Sequence, residues 1–183
     1  YPQKGAIVIG ADADIVLYYS GTEPFSIEEI RAIAASVRQE GQPLVTDLHE
    51  WGEWANGGAR VLTRAGRLNF LYRDLRQVRA AIDQACQGAC LHERVDHPAQ
   101  RYYHFYSTTY LAEVEKGAVV HDPRGWIVEL RHQIAIYPPR LKVTILRQEL
   151  QSAEHALMYG HNLAGRGDVF GTVDLLARVA SHL

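Results

Sequence analysis

The stretch GADADIVLYY, residues 10–19, decides the fold, because in it an acidic pair leads directly into an apolar strand. Its last five residues are aliphatic or aromatic, as in a strand buried within a sheet. Asp12 and Asp14 lie two residues apart at the start of that strand. The period of two predicts side chains on one face, with Cα atoms roughly 6 to 7 Å apart. Carboxylates at this spacing can share one or two Mg2+ ions, which prefer oxygen ligands. The alternative is a pair of polar residues at a strand start with no ligand role.

The residues on either side predict a sheet with helices packed on it. Ala6–Ile9 reads as an adjacent strand, and Ser26 with Glu29 forms a capping box for a helix that runs to about Gln39. After this helix the apolar residues follow the spacing of β-strands, and three more strands are predicted at residues 44–48, 59–63 and 68–72. We expect these three strands to form a meander. Asp74 can cap the next helix. The predicted class is α+β: a mixed sheet with flanking helices, followed by a C-terminal helical part.

The chain is expected to have three parts. Residues 1–90 form the α/β part. Residues 91–125 are rich in His, Tyr and Pro with weak periodicity, which favours an irregular connector. Residues 126–183 return to helical spacing. They include an apolar stripe at Leu146, Leu150, Ala153 and Leu157, and a last helix capped by Asp168. Because the helical pattern is still running at residue 183, we expect this last part to be truncated.

Composition narrows the class of partner. The formal net charge of -2 argues against a polynucleotide, because such a partner requires an excess of Lys and Arg. No apolar run approaches the roughly 18 to 20 residues that span a bilayer, and the first residues lack the plan of a signal peptide. We therefore expect a soluble, cytoplasmic protein that binds neither nucleic acid nor membrane. The nine His and two Cys show no zinc-ligand spacing, so we set zinc aside.

The order of these elements resembles the nucleotidyltransferase superfamily, which includes antibiotic-modifying enzymes and is related in fold to DNA polymerase beta. The resemblance is strongest at residues 12–19, 51–74 and 121–139, and in weaker form it covers most of the chain. It implies a nucleotidyltransferase-like domain in which two aspartates and a third carboxylate on a later strand bind Mg2+. Asp12 and Asp14 match the two aspartates as metal ligands and catalytic residues. Gly10 matches the glycine of a Gly-Ser turn that grips the triphosphate.

Two positions depart from the family pattern. No Ser follows Gly10, and Ala11 alone separates it from Asp12, where the family has a longer loop. Either the loop is deleted, or a mobile segment is left out between these residues; we favour the second, since phosphate-wrapping loops are often disordered without ligand. Asn69 stands where the third carboxylate falls. Its amide oxygen can ligate Mg2+ but carries no charge and cannot act as a base, and the alternative is a polar strand residue with satisfied hydrogen bonds.

The resemblance implies Mg2+-dependent transfer of a nucleotide from a nucleoside triphosphate to a hydroxyl of a small acceptor, for example an aminoglycoside-like or lincosamide-like compound. A general base can come from the helical part, where Glu154 borders the apolar stripe; a solvated helix glutamate is the alternative. An aromatic cluster either lines the acceptor pocket or packs a buried connector, and it comprises Tyr102, Tyr103, Phe105 and Tyr106. The alternative function is a weakened or inactive relative that binds a nucleotide or a partner, which Asn69 supports. The oligomeric state is left open.

Overall fold

The computed structural model describes the backbone of residues 5–9 and the residues 14–94 and 104–182 in full. The chain divides into two compact units. The first comprises residues 1–85 and 90–137, and the second comprises residues 86–89 and 138–183. The predicted α+β class, with a mixed sheet, flanking helices and a C-terminal helical part, is confirmed.

A six-stranded mixed sheet organises the first unit. Its strands are β1 (Gly5–Ile9), β2 (Asp14–Tyr19), β3 (Leu44–Val45), β4 (Gly57–Thr63), β5 (Gly66–Asp74) and β8 (Ala118–His121). Their spatial order is β3-β4-β5-β2-β1-β8. The central strands β2 and β5 run parallel, and each of the other neighbouring pairs is antiparallel. The predicted meander is therefore β3, β4 and β5.

One face of this sheet packs against α1 (Ile27–Val37) and forms a hydrophobic core. Ile30 and Ala34 of the helix are buried together with Phe70 and Tyr72 of β5. The helix begins as the capping box predicts, because the Ser26 hydroxyl accepts a hydrogen bond from the amide of the third helical residue. This core occupies one face, so the polar residues that alternate with it along β2 and β5 are turned to the opposite face.

The helix α2 (Leu75–Gln87) follows β5 without a loop. The Asp74 carboxylate accepts a hydrogen bond from the amide of Arg76 at 2.9 Å, so Asp74 caps this helix as predicted. The predicted apolar stripe is buried, at Leu75, Val78, Ala81, Ile82 and Ala85. Local signals were therefore sufficient for this element.

The segment predicted as an irregular connector, residues 91–125, differs from that prediction. Its described residues form β6 (His92–Arg94), β7 (His104–Tyr106), α3 (Thr108–Lys116) and β8 (Ala118–His121). Among the described residues, β6 pairs with β7, and β8 pairs with β1. Strands of three or four residues are too short to show a period, and the partner of β8 is distant in sequence. The helix α4 (Trp126–Gln133) then closes the first unit, with Ile127 and Leu130 buried.

The second unit consists mainly of α5 (Pro139–Gly165) and α6 (Val169–His182), which pack against each other. The Asp168 carboxylate caps α6 through the amide of Gly171, as predicted. Of the predicted stripe of α5, Ala153 lies on the buried face, whereas Leu146, Leu150 and Leu157 are exposed. The buried positions are mostly small and let the helices approach closely, at Leu141, Ala153, Ala156 and Gly160. No helix in residues 14–94 or 104–182 has the length and apolar character needed to cross a bilayer.

Candidate functional site

Asp14 is the first residue of β2, and the parallel pairing of β2 and β5 places it directly opposite Asn69 of β5. The Asn69 amide nitrogen donates a hydrogen bond to Asp14 Oδ1 at 2.7 Å. Two residues predicted to share a site from separate sequence motifs are thus in contact. Gly10 and Asp12 lie outside the described residues, so their predicted metal and phosphate roles stay predictions.

The Asn69 side chain is oriented by its neighbour. A carboxylate only accepts hydrogen bonds, so the amide faces Asp14 with its nitrogen, and its oxygen points the other way. Within the described residues that oxygen is buried and has no hydrogen-bond partner. An unpartnered buried acceptor has a free energy cost that a cation, a water or an N–H donor would remove. Asp14 and Asn69 therefore offer oxygen ligands of the kind that Mg2+ prefers, once the amide turns its oxygen toward the carboxylate.

A cavity of about 190 Å³ lies over this face of the sheet. Asp14 and Asn69 line one part of it, and two arginines and two aromatic rings line the rest. The lining residues are Asp14, Trp51, Ala55, Arg60, Asn69, Leu71, Arg73 and Phe105. The cavity thus combines a carboxylate, two cations and flat apolar walls, a combination suited to a ligand with both anionic and aromatic parts.

The loop at residues 51–56 forms one wall of the cavity, and one carboxylate binds three of its backbone amides. Glu93 of β6 accepts hydrogen bonds at 2.9 Å from three consecutive backbone amides, those of residues 53, 54 and 55. Tyr110 donates a further hydrogen bond to the carbonyl of Trp54. Gly58 lets the Trp51 ring lie against β4, because a Cβ there would be 2.7 Å from that ring and 2.2 Å from a backbone oxygen on β5. The position of Trp51 therefore depends on β4 and β6 together.

Arg73 is the buried cation of the site. Its guanidinium makes a bidentate ion pair with Glu113 of α3, at 2.8 and 2.6 Å, and donates to the carbonyls of Ala55 and Tyr72. Burial alone would lower the pKa of this guanidinium, but the Glu113 carboxylate outweighs burial and raises the pKa above its usual range. Arg73 is therefore charged and fully committed to structural partners, although it lines the cavity.

Arg60 differs from Arg73, although both line the cavity. Arg60 lies directly across from Asn69 on β4, and its guanidinium is 5.8 Å from the centre of the Trp51 ring. In the part of the chain that the structure describes, Arg60 makes no ion pair and no side-chain hydrogen bond. Sequence reasoning missed both arginines. The signal that could have found Arg60 is the lack of any Asp or Glu between residues 54 and 73.

The remaining predicted residues lie elsewhere. Glu154 is exposed on α5 in the second unit, beside a shallow surface depression that it lines with residues of the same helix. Of the aromatic cluster, Phe105 is buried and lines the cavity, whereas Tyr106 is half exposed and stacks on His92. Tyr102 and Tyr103 lie outside the described residues. No group of three or more His, Cys, Asp or Glu converges among residues 14–94 and 104–182.

Comparison with known proteins gives one match. The model of a protein family described as a domain of unknown function, DUF4037, matches residues 103–183, which is less than half of the chain. No curated protein and no solved structure matches the chain. The matched family has no assigned function, so the comparison assigns no activity, and the site must be interpreted from its own chemistry.

Proposed function

We propose that the chain is a Mg2+-dependent nucleotidyltransferase, which transfers a nucleotide from a nucleoside triphosphate to a hydroxyl of a small acceptor. The observation that carries the proposal is the opposed pair of Asp14 and Asn69 on parallel strands, joined at 2.7 Å beside a cavity that also contains Arg60. A carboxylate beside an amide that can turn its oxygen toward it suits a hard cation, and a cation-lined cavity next to it suits phosphate. We further propose a cytoplasmic location.

The residues of the chain have distinct roles in this reaction. Asp14, with Asp12 from the sequence pattern, would hold Mg2+, and Asn69 would complete the site through its amide oxygen. The bound ions would neutralise charge on the phosphates. The acceptor oxygen forms a bond to the α-phosphorus, and the bond from that phosphorus to the α,β-bridging oxygen breaks. Pyrophosphate leaves with the electron pair, and a base takes the hydroxyl proton.

The remaining role in the reaction is that of the base that takes the hydroxyl proton. Glu154 is the candidate that sequence reasoning names, and it lies on α5 in the second unit. A Glu154→Gln variant that keeps nucleotide affinity but lowers the rate of transfer at least tenfold would support this role. A variant with an unchanged rate would remove Glu154 from the mechanism.

Calorimetry tests nucleotide binding. The four ribonucleoside triphosphates are titrated into the protein with and without Mg2+. We expect at least one to bind, with an affinity that depends on Mg2+ and falls at least tenfold in Asp14→Asn. Asp83→Asn is the matched control, because Asp83 is exposed on α2 and makes no ion pair among the described residues. If no triphosphate binds the wild-type protein, the proposal fails.

Product analysis separates an enzyme from a binding module. Mass spectrometry of a mixture of hydroxylated small molecules, incubated with the bound triphosphate, should show a mass increase equal to one nucleotide. The alternative, a nucleotide-binding relative that is inactive or weakened, is favoured by the uncharged side chain at Asn69. It predicts binding without product in the wild-type protein. Product that appears or increases in Asn69→Asp would identify a weakened enzyme, since a third carboxylate restores both charge and a possible base.

A further inference from the structure

The hairpin of β4 and β5 has an unusual charge pattern. Residues 57–73 contain four arginines and no aspartate or glutamate. Arg73 is neutralised by Glu113. The other three have no carboxylate within ion-pair distance anywhere in the described part of the chain, and they are Arg60, Arg64 and Arg67. The hairpin thus carries about three uncompensated positive charges in a protein whose formal net charge is -2.

The strand register places two of these cations on the face that bears Asp14. Arg60 is paired with Asn69, and Arg67 of β5 is paired with Leu62 of β4. Residues directly opposite each other share a face, and residues two apart on one strand also share it, so Arg67 lies on the same face as Asn69. Arg60 and Arg67 therefore flank Asn69, one across the strand pair and one two residues along β5.

The packing of Arg60 leaves its donors available. Its guanidinium lies over the Trp51 ring, a contact that fixes the side chain without using its N–H groups. A guanidinium presents its donors as a planar fork that matches two oxygens of one phosphate. Arg67 is exposed and has no partner among the described residues. Arg60 lies across from Asn69 and Arg67 lies two residues along β5, and neither guanidinium has a hydrogen-bond partner among the described residues. Together they can bind two adjacent phosphates of a polyphosphate chain.

From this pattern we propose that the β4–β5 hairpin is a polyphosphate-binding element, in which Arg60 and Arg67 bind the β- and γ-phosphates of the nucleoside triphosphate. The assignment of the phosphates to a nucleotide rests on the function proposed above, whereas the affinity for a polyphosphate rests on the hairpin alone.

Calorimetry with three ligands tests the proposal: inorganic tripolyphosphate without metal, and the preferred nucleoside triphosphate and its monophosphate with Mg2+. Loss of one charge-assisted bidentate contact in Arg60→Ala should weaken binding of the triphosphate and of tripolyphosphate by roughly 10- to 100-fold. Binding of the monophosphate should change less than about threefold. Arg67→Ala should show the same selectivity with a smaller loss, because its side chain is more exposed.

Two further variants control for structure and charge. Arg60→Lys keeps the cation over Trp51 but removes the fork, so we expect an intermediate loss. Arg147→Ala removes an exposed arginine of α5 that has no ion pair within the described ranges, and it should leave all three affinities unchanged. Circular dichroism and urea midpoints establish that each variant is folded. If Arg60→Ala does not fold, Arg67→Ala still tests the proposal independently.

The outcomes separate this inference from the proposed function. Equal triphosphate-to-monophosphate affinity ratios in wild type, Arg60→Lys and Arg67→Ala would overturn the role of the hairpin, while the proposed function would stand if the wild-type protein binds a triphosphate with Mg2+. Arginine-dependent binding of tripolyphosphate without binding of any nucleotide would uphold the hairpin and overturn the proposed function. If neither tripolyphosphate nor nucleotide binds, both fail.

Discussion

Replacement of Glu113 by Ala would leave Arg73 as an unpaired charge in the interior. The two side chains are 13% and 3% exposed, and they are joined by two hydrogen bonds. Removing one partner of a buried ion pair costs roughly 3 to 5 kcal/mol. Arg73 would keep two carbonyl acceptors and the faces of Phe105 and Tyr110. We therefore expect the lower end of that range, about 3 kcal/mol, which is a large part of the 5 to 15 kcal/mol typical of a folded protein.

Tryptophan fluorescence during urea unfolding measures the stability that Glu113→Ala loses, and it reports on the first unit alone. All three tryptophans, residues 51, 54 and 126, lie in that unit. A loss of about 3 kcal/mol should lower the urea midpoint by about 1 to 3 M. The matched control is Glu115→Ala on the same helix, whose ion pair with Lys116 is 51% and 77% exposed and should contribute less than about 1 kcal/mol. If both variants shift the midpoint equally, the argument that Glu113 compensates a buried charge is refuted.

Three other substitutions test the local structure around the cavity. Glu93→Gln replaces one of the two oxygens that accept from three backbone amides with an NH2 donor, so the urea midpoint followed by tryptophan fluorescence should fall by the equivalent of roughly 1 to 3 kcal/mol; an unchanged midpoint would contradict the role of Glu93 in holding the 51–56 loop. Gly58→Ala forces a Cβ to within 2.2 Å of a carbonyl oxygen and should lower the melting temperature, whereas Gly165→Ala, with open space around it, should not. Asp122→Ala removes the two oxygens that accept from the amides of residues 126 and 127, and should cost about 1 kcal/mol by thermal denaturation; Asp122→Asn keeps one of these acceptors and should recover part of that loss.

Much of the fold could be predicted because its signals are local. The capping box at Ser26, the cap at Asp74 and the cap at Asp168 each involve residues a few positions apart, and all three helices begin where these residues predict. The strands next to them were recognisable because their apolar runs are bounded by turns. Residues 91–125 could not be predicted in this way. Their strands have only three or four residues, too few to show a period, and β8 is defined by pairing with the distant strand β1, which no local pattern records.

The site was predictable in part for the same reason. Asp14 is conspicuous in an acidic pair before an apolar strand, and Asn69 follows from the position of a later strand. The register that puts them in contact is a tertiary property, as is the contrast between Arg60 and Arg73. Both arginines lie on the same face of adjacent strands. The position of Glu113 on α3 gives Arg73 a buried ion pair, whereas Arg60 has no ion pair among the described residues.

Residues beyond position 90 contribute to the wall of the cavity, which limits where the protein can be truncated. The predicted end of the α/β part at residue 90 would remove Glu93, Phe105 and Glu113, and with them the anchor of the 51–56 loop, one lining ring and the counter-ion of Arg73. A shortened protein that stops there would expose an uncompensated cation and would leave the amides of residues 53–55 without their shared acceptor. The smallest piece suitable for ligand studies should therefore continue through residue 137, where the first unit ends.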